Sequence, residues 1–253
     1  MGSSLTLQIV LSFLIALLFA AIHVFGDRLD FLDVVPRSRW LSVSGGVAVA
    51  YVFIHLFPEL GAAQEHFQSA FSERPLGAVE RHSYVIALLG LAVFYGLERM
   101  AKSSVRRETG RGRGHRTGPA VFRVHLAAYA LYGALIGYLL LHREEADLRG
   151  LFFYGTAMGL HFLVNDRGLR HEHGAAYRRY GARVLAAAAL LGWLVGLIVE
   201  IPRTLVLVLF AFLAGAVILN VLKEELPEQR ESRFWAFAAG AALYSTLLLV
   251  TRV

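Results

Sequence analysis

Eight apolar stretches, near residues 4–25, 41–60, 82–101, 121–141, 151–169, 183–199, 203–222 and 234–251, dominate this chain and narrow what it can fold into. A helix needs about 20 apolar residues to cross the hydrocarbon core of a bilayer. In lipid every backbone polar group must be satisfied within the protein, so such stretches cross as helices. The expectation is an all-α polytopic membrane protein with eight transmembrane helices. Composition agrees: 57% of residues are hydrophobic and 17% charged, where a soluble domain carries about 25% charged. No Lys or Arg precedes the first stretch, and it is longer than a signal-peptide core, so it reads as a retained helix.

Lys and Arg number 25 against 19 Asp and Glu, a net charge of +6. A basic surplus suits either nucleic-acid binding or membrane topology, and position decides between them. With the N-terminus outside, nineteen basic residues fall in or beside inner loops and six in outer ones. That asymmetry marks cytoplasmic loops. Both termini are therefore expected outside, in a plasma or inner membrane, with lipid as a partner and no nucleic acid. The Gly/Arg-rich segment 102–118 reads as a flexible cytoplasmic linker. It separates helices 1–3 (1–101) from helices 4–5 with a cytoplasmic loop (119–182) and helices 6–8 (183–253). Cysteine is absent, which excludes a disulfide framework, a Cys zinc site and a thiol nucleophile. A metal would have to be held by His, carboxylate or amide groups.

An offset of 169 positions lays Gly46–Glu59 (GVAVAYVFIHLFPE) on Gly215–Glu228 (GAVILNVLKEELPE), matching Gly, Val, Pro and Glu. The offset covers five spans and so reverses membrane direction. Spans 1–3 and 6–8 are then expected to be an inverted repeat, an architecture of transporters. Pro58 and Pro227 lack an N–H and deprive the carbonyls of Ile54 and Lys223 of helical partners. Either an ion path or a kink at a helix end would repair them.

Ionisable groups at membrane depth are costly and are functional candidates for that reason. Spacing of i, i+4 puts His55 with Glu59, His161 with Asn165, and Glu224 with Glu228 on shared helix faces. The largely apolar stretch of the fifth span is only fourteen residues long, Leu151–Val164, so its helix must continue through Asn165 and Asp166 to cross. His161, Asn165 and Asp166, with His125 and Glu224 as further donors, form the expected metal set. His55, Glu59, Asn220 and Glu228 are candidates for a pathway. His171, Glu172 and His173 read as a solvated loop with loose metal-binding character. No H-E-x-x-H, G-x-S-x-G or phosphate-loop motif occurs.

H-L-F-P-E (His55–Glu59), F-Y-G-L-E-R (Phe94–Arg99) and E-E-L-P-E (Glu224–Glu228), in this order, resemble the ZIP family of divalent metal transporters. The resemblance implies eight spans, outside termini, a variable cytoplasmic loop after span three and a 3+2+3 inverted repeat. It also implies a metal centre between spans four and five, in helices reading approximately H-N-x-x-E-G and H-(N/D)-x-P-E-G. There this chain departs from the pattern. Anchored on Gly133 and Gly137, Ala128 stands at the His position, Tyr129 at the Asn and Tyr132 at the Glu; a register from His125 gives Leu126 and Tyr129 instead. In span five His161 matches, while Phe162, Val164, Asn165 and Asp166 replace the Asn or Asp, Pro, Glu and Gly.

The expected function is ZIP-like transport of divalent metal, zinc or a similar ion, through a reduced site, with no resident cofactor and no catalysis. One alternative is a protein of the same fold that moves no divalent metal and serves as a regulator, scaffold or carrier of another solute, with Tyr129 and Tyr132 filling the former cavity. Another is an intramembrane metal hydrolase built on His161, Asp166, His171 and His173. Gly45, Gly46, Gly90 and Gly96 permit close helix packing within or between subunits, so a homodimer stays open.

Overall fold

The computed structural model describes residues 2–26, 39–70, 82–143, 147–225 and 233–251. Among these there are helices and no strands. In chain order they are α1 (Gly2–Phe25), α2 (Arg39–Tyr51), α3 (Phe57–Ala70), α4 (Ser83–Gly110), α5 (Pro119–His142), α6 (Leu148–His173), α7 (Ala182–Ile198), α8 (Arg203–Glu225) and α9 (Phe234–Thr251). Six helical stretches are long and apolar enough to cross a membrane, as in an integral membrane protein: Thr6–Phe25, Ser42–Ser69, Ser83–Gly110, Pro119–His142, Tyr177–Ile198 and Arg203–Lys223.

Four sequence expectations change. The second span does not stop near Pro58: a π turn over Val52–Leu56 joins α2 to α3. The Phe57 N–H reaches back five residues to the Val52 carbonyl, a wider turn that lets the helix run past a proline ring. The fifth stretch forms α6, but Asp166, Arg167, Arg170 and Glu172 make its last turns too polar for a lipid-facing crossing, and α6 is not among the six. The eighth stretch, Phe234–Val250, is apolar but shorter. Finally, the linker does not begin at residue 102, because α4 continues to Gly110 with Ala101, Ser104, Val105 and Glu108 buried along one face. The expected partners Pro227 and Glu228 lie outside the described residues, as does the side chain of Glu224.

The chain divides into two compact units, each drawn from two separate segments of the sequence. One comprises residues 1–30 and 97–200. Within it Gly137 of α5 faces the Ala189 carbonyl and Gly192 of α7 faces the Ala134 carbonyl, so closely that a Cβ on either would strike backbone. On the other side of α7, Trp193 donates its indole N–H to Ser12 Oγ of α1 at 3.0 Å and packs on Phe13 at 4.9 Å between ring centroids. Farther along, α1 runs beside α6, with Ile15 against Gly155 and Phe19 edge-on to Phe162 at 5.1 Å. The result encloses α6, from Leu151 to His173, and accounts for its many buried residues.

The other unit comprises residues 31–96 and 201–253. Two helix crossings inside it have the same form. Gly46 of α2 meets the Phe237 carbonyl of α9, and Gly240 of α9 meets the Val43 carbonyl of α2. Likewise Gly215 of α8 meets the Ala87 carbonyl of α4, and Gly90 of α4 meets the Phe212 carbonyl of α8. In each case the carbonyl belongs to the residue three before the partner glycine. Such reciprocal approach of small residues is how helices gain contact where lipid removes the hydrophobic drive.

Candidate metal centre

α5 starts at Gly118 with Pro119 at its first turn, where a missing N–H costs nothing. α6 starts at Asp147, whose carboxylate accepts from the Gly150 N–H at 2.7 Å. It ends at Gly174, whose N–H still reaches the Arg170 carbonyl and whose φ of +57° is one that L side chains rarely adopt. The first of these ends sets His125 two turns into α5. The second carries helix α6 through His171, Glu172 and His173, correcting the expectation of a loop there. His173 is consequently buried.

His125, Glu172 and His173 converge: one ligating atom from each lies within 4.8 Å of the others, and no other such group of three or more His, Asp or Glu occurs among the described residues. His125 Nδ1 and His173 Nε2 are 3.1 Å apart. Two nitrogens sharing a tetrahedral zinc, each about 2.0–2.1 Å from it, stand about 3.3 Å apart. Outer contacts orient both rings. His125 Nε2 lies 2.7 Å from the Leu97 carbonyl, and Thr117 Oγ1 lies 2.6 Å from His173 Nδ1. The carbonyl only accepts, so His125 carries a proton on Nε2 and in its neutral form turns the Nδ1 lone pair toward His173. Burial, followed by the influence of His125, lowers the His173 pKa to about 3, with Glu98 acting the other way. Neutral imidazole is the form that ligates metal.

The end of the segment before α5 is part of this construction. The Thr117 N–H donates to the Glu172 carbonyl at 3.0 Å, and the Gly118 N–H to Ser104 Oγ at 2.8 Å. Glu108 accepts from Arg111 and Arg113, both at 3.2 Å. Residues 111–118 are thereby held against α4 and the end of α6.

Of the expected metal set, His125 alone belongs to this cluster; Glu172 and His173 come from the tract read as a solvated loop. His161 is buried on α6 and shares a 2.7 Å hydrogen bond between its Nε2 and the Tyr132 hydroxyl. Asp166 is fully buried, with both carboxylate oxygens on His23 Nδ1 at 2.8 and 2.9 Å. Asn165 is buried beside it in sequence. His161, Asn165 and Asp166 thus share one helix, but the side chains of His161 and Asp166 point their polar atoms to different partners. Between His125 and His161, α5 contributes Tyr129 and Tyr132, both buried, with ring centroids 5.7 Å (His125–Tyr129), 6.1 Å (Tyr129–Tyr132) and 5.7 Å (Tyr132–His161) apart.

In the other unit, buried His55 closes the π turn and pairs with Glu59 at 3.3 Å. Asn220 is buried on α8, its Nδ2 without a hydrogen-bond partner among the described residues. The residues that sequence reasoning missed are Thr117 and His23; Glu172 and His173 were noticed but assigned to solvent. Their signal was Gly174, the first glycine able to stop the helix after Gly168. Compared with family models, curated proteins and solved structures, the chain matches none.

Proposed function

We propose that this chain is a ZIP-like membrane transporter of divalent metal ions, zinc or a similar transition metal, acting through a reduced site that has moved to His125, Glu172 and His173. The convergence of those three side chains carries the reading. Two neutral imidazoles and a carboxylate are the donor set of many zinc sites that keep a fourth position for water or a passing ligand. The reading extends to eight spans, with α6 as an enclosed fifth and α9 as a short eighth, both termini outside, and a plasma or inner membrane. It assigns the chain no catalysis and no nucleic-acid partner.

The matched crossings support the 3+2+3 inverted repeat. Exchanging α2 with α8 puts Gly46 on Gly215, the same offset seen in the sequence, and exchanging α9 with α4 then turns one crossing into the other. One observation favours a second reading, a ZIP-shaped protein that binds metal without conducting it: Tyr129, Tyr132 and His161 pack the seam between α5 and α6 with aromatic rings.

Uptake of Zn²⁺, Fe²⁺ and Cd²⁺ into proteoliposomes, beside protein-free vesicles, decides between them. Transport predicts saturable uptake that is lost in Glu172→Gln and in His173→Ala. Uptake no greater than in empty vesicles, from folded protein that still binds zinc, would support the second reading. Folded protein that binds no zinc would overturn both.

A further inference from the structure

We propose that Thr117 is a positioning residue that loads this metal site by allowing His173 to change tautomer; the inference rests on the metal reading above. Proton accounting leads to it. The His125 Nε2 proton is committed to the Leu97 carbonyl, so with both rings neutral the Nδ1 lone pair faces His173 Nε2 at 3.1 Å. Without a cation, two lone pairs cannot face each other at that distance. His173 must then hold its proton on Nε2 and donate it to His125, leaving Nδ1 bare. Its neighbour at 2.6 Å is the Thr117 hydroxyl, which can donate to that nitrogen. The metal-free arrangement is thus a one-way chain: Thr117 hydroxyl to His173, His173 to His125, His125 to the Leu97 carbonyl.

A metal cannot use His173 Nε2 in that state, because the nitrogen carries a proton. Binding requires the His173 proton on Nδ1 and the Nε2 lone pair free. The Nε2–H bond breaks and gives its proton to water as the metal enters, the Nδ1–H bond forms with a proton taken from water, and the net charge of the ring is unchanged. The Thr117 hydroxyl then rotates and accepts from Nδ1–H. A hydroxyl serves both states because it donates and accepts, whereas a carbonyl or an ammonium could serve only one. The fixed backbone around it makes this possible: the Thr117 N–H is tied to the Glu172 carbonyl and the Gly118 N–H to Ser104, so Oγ1 stays in place while its hydrogen moves.

Both tautomers lose a bond if the hydroxyl is removed, but they do not lose equally. Ligation to a cation polarises the ring and makes Nδ1–H a charge-assisted donor, the stronger of the two bonds. Partners of this kind behind a ligating His change metal affinity about 10–100-fold.

The experiment is zinc titration of the purified full-length protein by calorimetry, with ¹⁵N-histidine spectra recorded with and without metal. Thr117→Val, nearly the same shape, is expected to weaken zinc about 10–100-fold. Thr117→Ser is expected to restore wild-type affinity, which separates the hydroxyl from loop packing. In the wild type, the His173 spectrum should move from the Nε2–H to the Nδ1–H form on zinc addition. Unchanged affinity in Thr117→Val, or an Nδ1–H signal already present without metal, overturns the inference while leaving the site intact. If His173→Ala binds zinc as tightly as wild type, the site reading itself fails.

Discussion

Gly133 and Gly137 lie one turn apart on α5, and replacing each by alanine tests the packing of the α5–α7 pair. At Gly137 the added Cβ would strike the Ala189 carbonyl oxygen and stand 3.0 Å from the Trp193 nitrogen. Both obstacles are backbone, so no side-chain rotation relieves them and the helices must part. At Gly133 the nearest atom is the Leu185 carbonyl oxygen at 4.0 Å, an ordinary contact. Any gain in helix propensity, about 1 kcal/mol for Gly→Ala, is common to both sites. The difference between the two variants therefore isolates the collision, about 1–3 kcal/mol for overpacking a tight interior. Thermal unfolding in detergent reads this difference. Trp193 is a local probe, since it is buried at the crossing while Trp40 and Trp235 are exposed. The expected outcome is a lower melting temperature and a red-shifted Trp193 emission for Gly137→Ala, with Gly133→Ala at or above wild type. Equal stability of the two variants would refute the close approach and with it the packing drawn for this unit.

Other outcomes follow from individual contacts. Glu172→Gln keeps the shape of the centre but removes its anionic ligand, and zinc affinity measured by calorimetry should fall at least tenfold; an unchanged value argues that Glu172 does not ligate. Because the His173 pKa is lowered in the folded protein to about 3, the unfolded chain binds the extra proton between pH 6.5 and 3, and stability must drop as pH falls through that window. The slope approaches about 1.4 kcal/mol per pH unit, and His173→Phe should flatten it in detergent melts at pH 7 and pH 5. Asp166→Ala leaves buried His23, whose Nε2 has no hydrogen-bond partner among the described residues, without its Nδ1 contact. Leaving a buried polar group unsatisfied costs about 1–3 kcal/mol, so this variant should be recovered folded in lower yield than Asp166→Asn.

Periodicity and length were enough to locate six of the eight expected stretches as helices able to cross a membrane, because apolar side chains in lipid leave a signal that needs no partner. They failed where a helix is stabilised by polar contacts. Residues 102–110 are rich in charge, but Ala101, Ser104, Val105 and Glu108 recur at helical spacing and are the buried ones. Small and polar residues at those positions hide the stripe from any reading based on hydrophobicity. His173 was misread for a related reason: it is buried beside Thr117 and His125, distant in sequence, and no local pattern announces them. The glycines were legible only in part. Gly46 and Gly215 stand at the repeat offset, but the reciprocal roles of Gly240 and Gly90 depend on which helices meet.

Charge explains why the centre lies at the end of the α5–α6 seam rather than in its middle. A divalent cation surrounded by low-dielectric protein needs anionic or strongly polar donors to replace its water. In the middle, the positions that carry carboxylates in ZIP-like sequences hold Tyr132 and Asn165, and the one buried acid nearby, Asp166, is engaged by His23. At the end, Glu172 is within reach of both imidazoles, and Glu98 acts electrostatically on His173. The same sequence changes that remove charge from the middle therefore leave it available at one end. Under the proposed function a cation held where α6 ends would have to pass the Tyr132–His161 bond to go farther. That bond is the step on which transport and simple binding part: replacing Tyr132 by phenylalanine removes its hydroxyl and should alter uptake rates in a transporter, yet leave zinc affinity at His125, Glu172 and His173 unchanged in either case.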